Sequence, residues 1–116
     1  MSRVVVCGSL NMDVVVQSAR RPASGETLLG ATVSLLPGGK GLNQAVAAAR
    51  LGVPTAMLGA VGGDGFGTTL RTFLANEDVN SLGVSVVEGQ TTGVAVIQLV
   101  KGDNAIDPGG TRLPGQ

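Results

Sequence analysis

The stretch PGGKGLNQAVAAARLGVPTAMLGAVG, residues 37–62, sets a helix and a strand in immediate succession, and that pairing decides the fold class. From Gly41 to Leu51, Leu42, Val46 and Ala49 or Arg50 recur at helical spacing, and alanine is the best helix former. Gly52 is suited to end a helix, and Pro54 stands just beyond it. TAMLGAVG (55–62) is then short, apolar and bounded by glycine, the pattern of a buried strand. Upstream, RVVVCG (3–8) has the same character, with Cys7 expected as a small buried hydrophobe. Downstream, GGDGFGTTLRTFLANEDV (62–79) reads as a glycine turn, a helix and its exit. Asp64 is a natural N-cap there, and Phe66, Leu70, Phe73 and Leu74 form the apolar stripe.

Strand–helix–strand units with apolar strands predict an α/β protein with a parallel sheet, flanking helices and right-handed crossovers. Further strand-like pieces at roughly 14–17, 27–36 and 84–107 read as hairpin partners, predicting a second, small β-sheet. Asn104–Asp107 begins one of them, and the turn-rich PGGTRLPGQ that closes the sequence reads as a frayed end. At 116 residues the chain is expected to be one domain.

Composition narrows the chemistry. Eight basic and eight acidic residues cancel, and no basic patch stands out, so nucleic acid is not an expected partner. There is no His, Tyr or Trp. That removes His-based acid–base chemistry, Ser-His-Asp triads and the usual zinc sites. With one Cys and two Phe, neither a disulfide framework nor a nucleic-acid stacking platform is expected. No apolar run approaches the ~20 residues that span a bilayer, so no membrane partner is expected, and no secretory signal is read at the start. The lone Cys fits a cytoplasmic protein. Any chemistry must come from carboxylates, amides, hydroxyls, Lys40 or backbone groups.

Four segments carry candidates. In GSLNMD (8–13), Asn11 and Asp13 lie two apart, so an extended chain points both to one side. They fall just past the C-terminal end of a strand, where open α/β sheets bind ligands, and an amide with a carboxylate suits a polyol. A local Asx turn is the alternative. In PGGKGLN (37–43), three glycines and Lys40 open a helix whose positive end favours polar or anionic groups. Lys40 is followed by Gly41 and not Ser or Thr, and position 34 is Ser and not Gly, so this is not a P-loop. Asn43 lies three residues beyond Lys40, so both can face one ligand. A simple glycine-rich helix entry is the alternative. VGGDGFG (61–67) gives G-x-G-x-G spacing, which fails the dinucleotide fingerprint and leaves an NAD-dependent oxidoreductase as a remote reading. TTGVAV (91–96) reads as a strand, with its threonines placed by β-propensity.

In this order, GSLNMD, a PxxGET break (Pro22, Gly25, Glu26, Thr27), GGKGLNQAVAAARLG, VGGDGFG and TTGVAV resemble the ribokinase-like (PfkB) family of ATP-dependent sugar kinases, the GGKGxNQA stretch pointing to its ribokinase branch. The resemblance runs from residue 3 to about 108 and implies a partial ribokinase-like fold, a central α/β sheet with a small β-sheet lid. It implies that Asn11 and Asp13 bind sugar hydroxyls, that Gly38, Gly39, Lys40 and Asn43 form the floor of the sugar site, and that Thr92 and Ile106 contribute from the lid. The implied reaction is D-ribose and ATP giving ribose 5-phosphate and ADP, with ATP and magnesium as cofactors and a pentose as partner. Self-association is also implied, as a homodimer or larger assembly through the lid or an uncovered sheet edge.

The chain departs from the pattern in two respects. The family's catalytic base, an Asp in a Gly-Ala-Gly-Asp motif, and its ATP site belong to the second half of the longer members, and no such motif occurs in these residues. Pro108-Gly109-Gly110-Thr111 also replaces the usual PGAN-type turn. The 116 residues therefore read as the N-terminal, sugar-site portion of such a kinase, with no catalytic residue of their own and no phosphoryl transfer expected from them alone. The rival reading is a catalytically inactive sugar-binding or oligomerisation module derived from the family.

Overall fold

Val4–Cys7 forms strand β1, followed by β2 (Asn11–Ser18), β3 (Thr32–Gly38), helix α1 (Lys40–Arg50), β4 (Thr55–Gly62), α2 (Gly65–Asn76), β5 (Val79–Val87), β6 (Gly93–Val100) and β7 (Ile106–Pro108). This computed structural model describes residues 2–18 and 32–100, and the backbone of 106–108. The expected strand residues 27–31 and 101–105, and the closing segment from 109 on, lie outside the described residues.

The chain divides into two compact units. The first comprises residues 1–12 and 37–93, the second 13–36 and 94–116. In the first, β1, β4 and β5 form a parallel sheet in the order β1-β4-β5, with Val4 beside Thr55 and Cys7 beside Leu58. Helix α1 packs on β1 and β4, and α2 on β4 and β5. Alternate strand residues point to the helices, so Val6, Met57, Val61, Val79 and Val84 join Leu42, Ala45, Leu70 and Leu74 in one core. Met57, Leu70 and Leu74 are fully buried, each contributing about 1.5–3 kcal/mol by the area it removes from water.

The helix ends behave as their residues dictate. Helix α1 closes in a Schellman motif: Val53 N–H donates to the Ala48 carbonyl and Gly52 N–H to the Ala49 carbonyl. Helix α2 starts at its expected N-cap, where the Asp64 carboxylate accepts from the Gly67 N–H. The two C-termini are tied by a bidentate pair, Arg50 Nε to Glu77 Oε1 at 2.7 Å and Nη2 to Oε2 at 3.0 Å. That pair holds the Glu77 carboxyl below, and the Arg50 guanidinium above, the usual range, in each case chiefly through the side-chain hydrogen bond.

Two expectations are corrected in this unit. Strand β1 is covered on one face only, so Cys7 is exposed and not buried. Val5 (57 % exposed) and Leu58 (43 %) share that open face. Residues 84–87 belong to β5, parallel to β4 in the main sheet, and not to a hairpin in the second sheet. The physical reason is α2, which carries the chain back so that Val79 and Val84 complete the core beneath it.

The second unit carries a sheet in the order β3-β2-β6-β7. Strands β6 and β7 are antiparallel, with Leu99 beside Ile106 and Ile97 beside Pro108. The Thr32 hydroxyl donates to Gln17 Oε1 at 3.4 Å, joining β3 to β2. Several apolar residues of this sheet are exposed, among them Val33, Leu35, Leu36, Val94 and Val96.

Candidate sugar site

The first unit brings five of the expected residues, Asn11, Gly38, Gly39, Lys40 and Asn43, to one place, the C-terminal end of β1. Beyond Cys7 the chain turns through Gly8, Ser9 and Leu10 to reach Asn11 at the start of β2. The Gly8 N–H donates to the Leu58 carbonyl at 3.2 Å, and the Ser9 carbonyl accepts from Leu42 N–H at 3.0 Å. The turn is thereby tied to the neighbouring strand and to the first turn of α1. The contact with α1 is backbone against backbone: a Cβ on Gly41 would lie 2.7 Å from the Gly8 carbonyl carbon and the Ser9 nitrogen.

Gly39 is the N-cap of α1, with φ +103°. A Cβ there would lie 2.5 Å from the Ser9 carbonyl oxygen and 2.9 Å from Asn11 Oδ1. Only glycine meets both demands, the positive φ and the close approach. The glycines ahead of the helix therefore press its N-terminus onto Ser9 and Asn11. Gly38 is buried beside them, while Lys40 and Asn43 are exposed on the first turn of α1. Asn43 also borders a hollow of about 370 Å³ with Pro37, Leu42, Val46 and Phe73. No acidic residue occupies that first turn, so the positive helix end and Lys40 present donors to an incoming polar ligand.

Asp13 follows two residues after Asn11 in β2, half-buried within the second unit. Ile106 opens β7, paired with Leu99, and its side chain lies outside the described residues.

Thr92 departs from its expected place. It lies in the first unit, just ahead of β6, and is only 3 % exposed. Its hydroxyl donates to Asp64 Oδ1 at 2.6 Å and accepts from Gly62 N–H at 2.9 Å, while its own N–H donates to Asp64 Oδ2 at 2.8 Å. A hydroxyl so engaged is a structural tie. These bonds, first the Thr92 hydroxyl, then the Thr92 and Gly67 N–H groups, hold the Asp64 carboxyl below its ordinary range. Asp64 shows only a capping role in the sequence; its bond to Thr92 spans 28 positions and leaves no local signal.

Residues 1–109 match the pfkB family carbohydrate kinases. The chain belongs to that family. It is 46 % identical to the ribokinase of Bacillus subtilis over 106 residues and 45 % identical to that of Lactococcus lactis over 107 residues. These alignments cover 91 % of this chain but 36 % and 35 % of the two relatives, so this pfkB-family chain spans about a third of their length. Among solved structures, an Arabidopsis thaliana ribokinase complexed with ribose and ATP superposes with a TM-score of 0.82 at 38 % identity, over 93 % of this chain and 36 % of that one. A Giardia lamblia ribokinase superposes with a TM-score of 0.81 at 30 % identity, over the same shares. The expected α/β fold and the family resemblance are both borne out. Among the described residues of this pfkB-family chain no helix is long and apolar enough to cross a membrane, and no three Cys, Asp or Glu side chains form a group that could hold a metal ion.

Proposed function

We propose that this chain supplies the sugar-binding part of an ATP-dependent carbohydrate kinase, whose reaction transfers the γ-phosphoryl group of ATP to the 5-hydroxyl of D-ribose. The observation that carries the reading is the approach of Gly39 to Asn11 and Ser9, which sets an amide side chain, a helix N-terminus and Lys40 at one strand end. Asn11 donates to and accepts from sugar hydroxyls, and the Asp13 carboxylate accepts from them; Gly38, Gly39, Lys40 and Asn43 form the floor; Ile106 is a further contact of the sugar. Thr92, its hydroxyl engaged by Asp64 and Gly62, is not counted among the sugar contacts. The likeness to a ribokinase complexed with ribose and ATP supports a pentose as the ligand. This reading assigns the nucleotide, the magnesium ion and the catalytic base to none of the described residues.

Calorimetric titration with D-ribose tests the reading. Saturable binding that Asn11→Ala and Asp13→Ala each abolish supports it. Heat indistinguishable from dilution, in the parent chain, overturns it for these residues. A homodimer or larger assembly is part of the same proposal, supported by the exposed apolar residues of β3 and β6.

A further inference from the structure

Asp64 does more than a cap requires. An N-cap needs one acceptor for one helical N–H. Here Oδ1 accepts from Gly67 N–H at 2.8 Å and from the Thr92 hydroxyl, and Oδ2 accepts from Thr92 N–H. Hydrogen bonds to an ionised acceptor are about twice as strong as neutral ones. Residue 92 is thus gripped at both its donors, and its hydroxyl is held from the other side by Gly62 N–H.

The next residue is Gly93, and it borders the sugar site. A Cβ on Gly93 would lie 3.5 Å from the Asn11 Cβ and 3.8 Å from the Leu10 carbonyl oxygen. Gly39 thus lies tight against the Asn11 amide oxygen, and Gly93 lies beside the Asn11 Cβ at a spacing that an added methyl group would just fill. Gly39 is set by α1. Gly93 is set by the residue Asp64 holds.

We propose that Asp64 is a positioning residue of the sugar site: by gripping Thr92 it fixes the path of the chain at Gly93, beside the Asn11 Cβ, and so limits how the Asn11 side chain meets the sugar. The proposal rests on the reading of Asn11 as a sugar ligand, and its test separates the two.

Asp64→Ser keeps a good N-cap for Gly67 but loses the second carboxylate oxygen that Thr92 needs. Thr92→Val removes the hydroxyl, and Thr92→Ser retains it. In the full chain, Asp64→Ser and Thr92→Val are expected to weaken D-ribose binding about tenfold, the scale of a lost charge-assisted hydrogen bond, with Thr92→Ser close to the parent. The Asn11 side-chain amide resonances are expected to shift in the first two variants and return in Thr92→Ser. Unchanged Asn11 resonances in folded Thr92→Val overturn the proposal whatever the sugar titration gives. So does parent-like ribose affinity in Thr92→Val when Asn11→Ala abolishes binding. If the parent chain gives no ribose heat, or Asn11→Ala binds as the parent does, the sugar-ligand reading fails and takes the proposed role with it. The Asn11 resonances then decide only whether the grip reaches Asn11. If Asp64→Ser does not fold, the two Thr92 variants decide.

Discussion

Gly39 combines a φ of +103° with a backbone lying against Ser9 and Asn11. Alanine there is strained by its dihedral and has its Cβ 2.5 Å from the Ser9 carbonyl oxygen. Gly39→Ala is expected to destabilise the chain by about 1–3 kcal/mol, read as a lower urea midpoint, and to weaken ribose binding with it. A parent-like midpoint shows that the approach is looser than described. This position is legible in the sequence, because three glycines ahead of a helix exceed what a cap needs. Cys7 is not: β1 is as apolar as a strand covered on both faces, and only its neighbours decide that one face is open. Thr92 is a related case. Its threonine suits a strand, but its hydrogen bonds reach back to Gly62 and Asp64, contacts that no local pattern encodes.

Helix α2 shows how an element is fixed at both levels. Its Leu70 and Leu74 stripe and its Asp64 cap follow from spacing, and the structure keeps both. What spacing does not show is that Asp64 also anchors the chain ahead of β6. The pH dependence follows from that anchor. The Thr92 and Gly67 hydrogen bonds hold the folded Asp64 carboxyl below its unfolded range, so the stabilisation is complete above ordinary carboxylate values. It is lost as pH falls through the lowered folded value. The urea-midpoint gap between the parent and Asp64→Asn is therefore expected to stay constant from pH 7 to about pH 5 and to close in stronger acid. A gap independent of pH down to full protonation refutes the anchor. Strand β5 is the complementary case. VSVV has the composition of a hairpin strand, and its parallel place beside β4 comes from the crossover through α2.

For the whole molecule, the apolar residues left exposed set the behaviour. Val33, Leu35, Leu36, Val94 and Val96 in the second unit, and Val5 and Leu58 in the first, face solvent in the single chain. Exposed apolar sheet surface favours association. Light scattering at micromolar concentration is expected to report a dimer or larger assembly, and Leu35→Glu to reduce it. If Leu58→Glu reduces it while Leu35→Glu does not, the open face of the first sheet is the contact. A monomeric parent rejects self-association.

The sequence by itself determined the α/β class, both helices with the Gly52 end of α1 and the Asp64 cap of α2, the glycine-rich entry to α1 and the family, because each rests on spacing or motif within a short window. The tertiary structure decided which strand faces are covered, where residues 84–87 pair and what Thr92 does. Those outcomes depend on partners tens of residues away, and burial and hydrogen bonding between distant segments have no signature in local sequence.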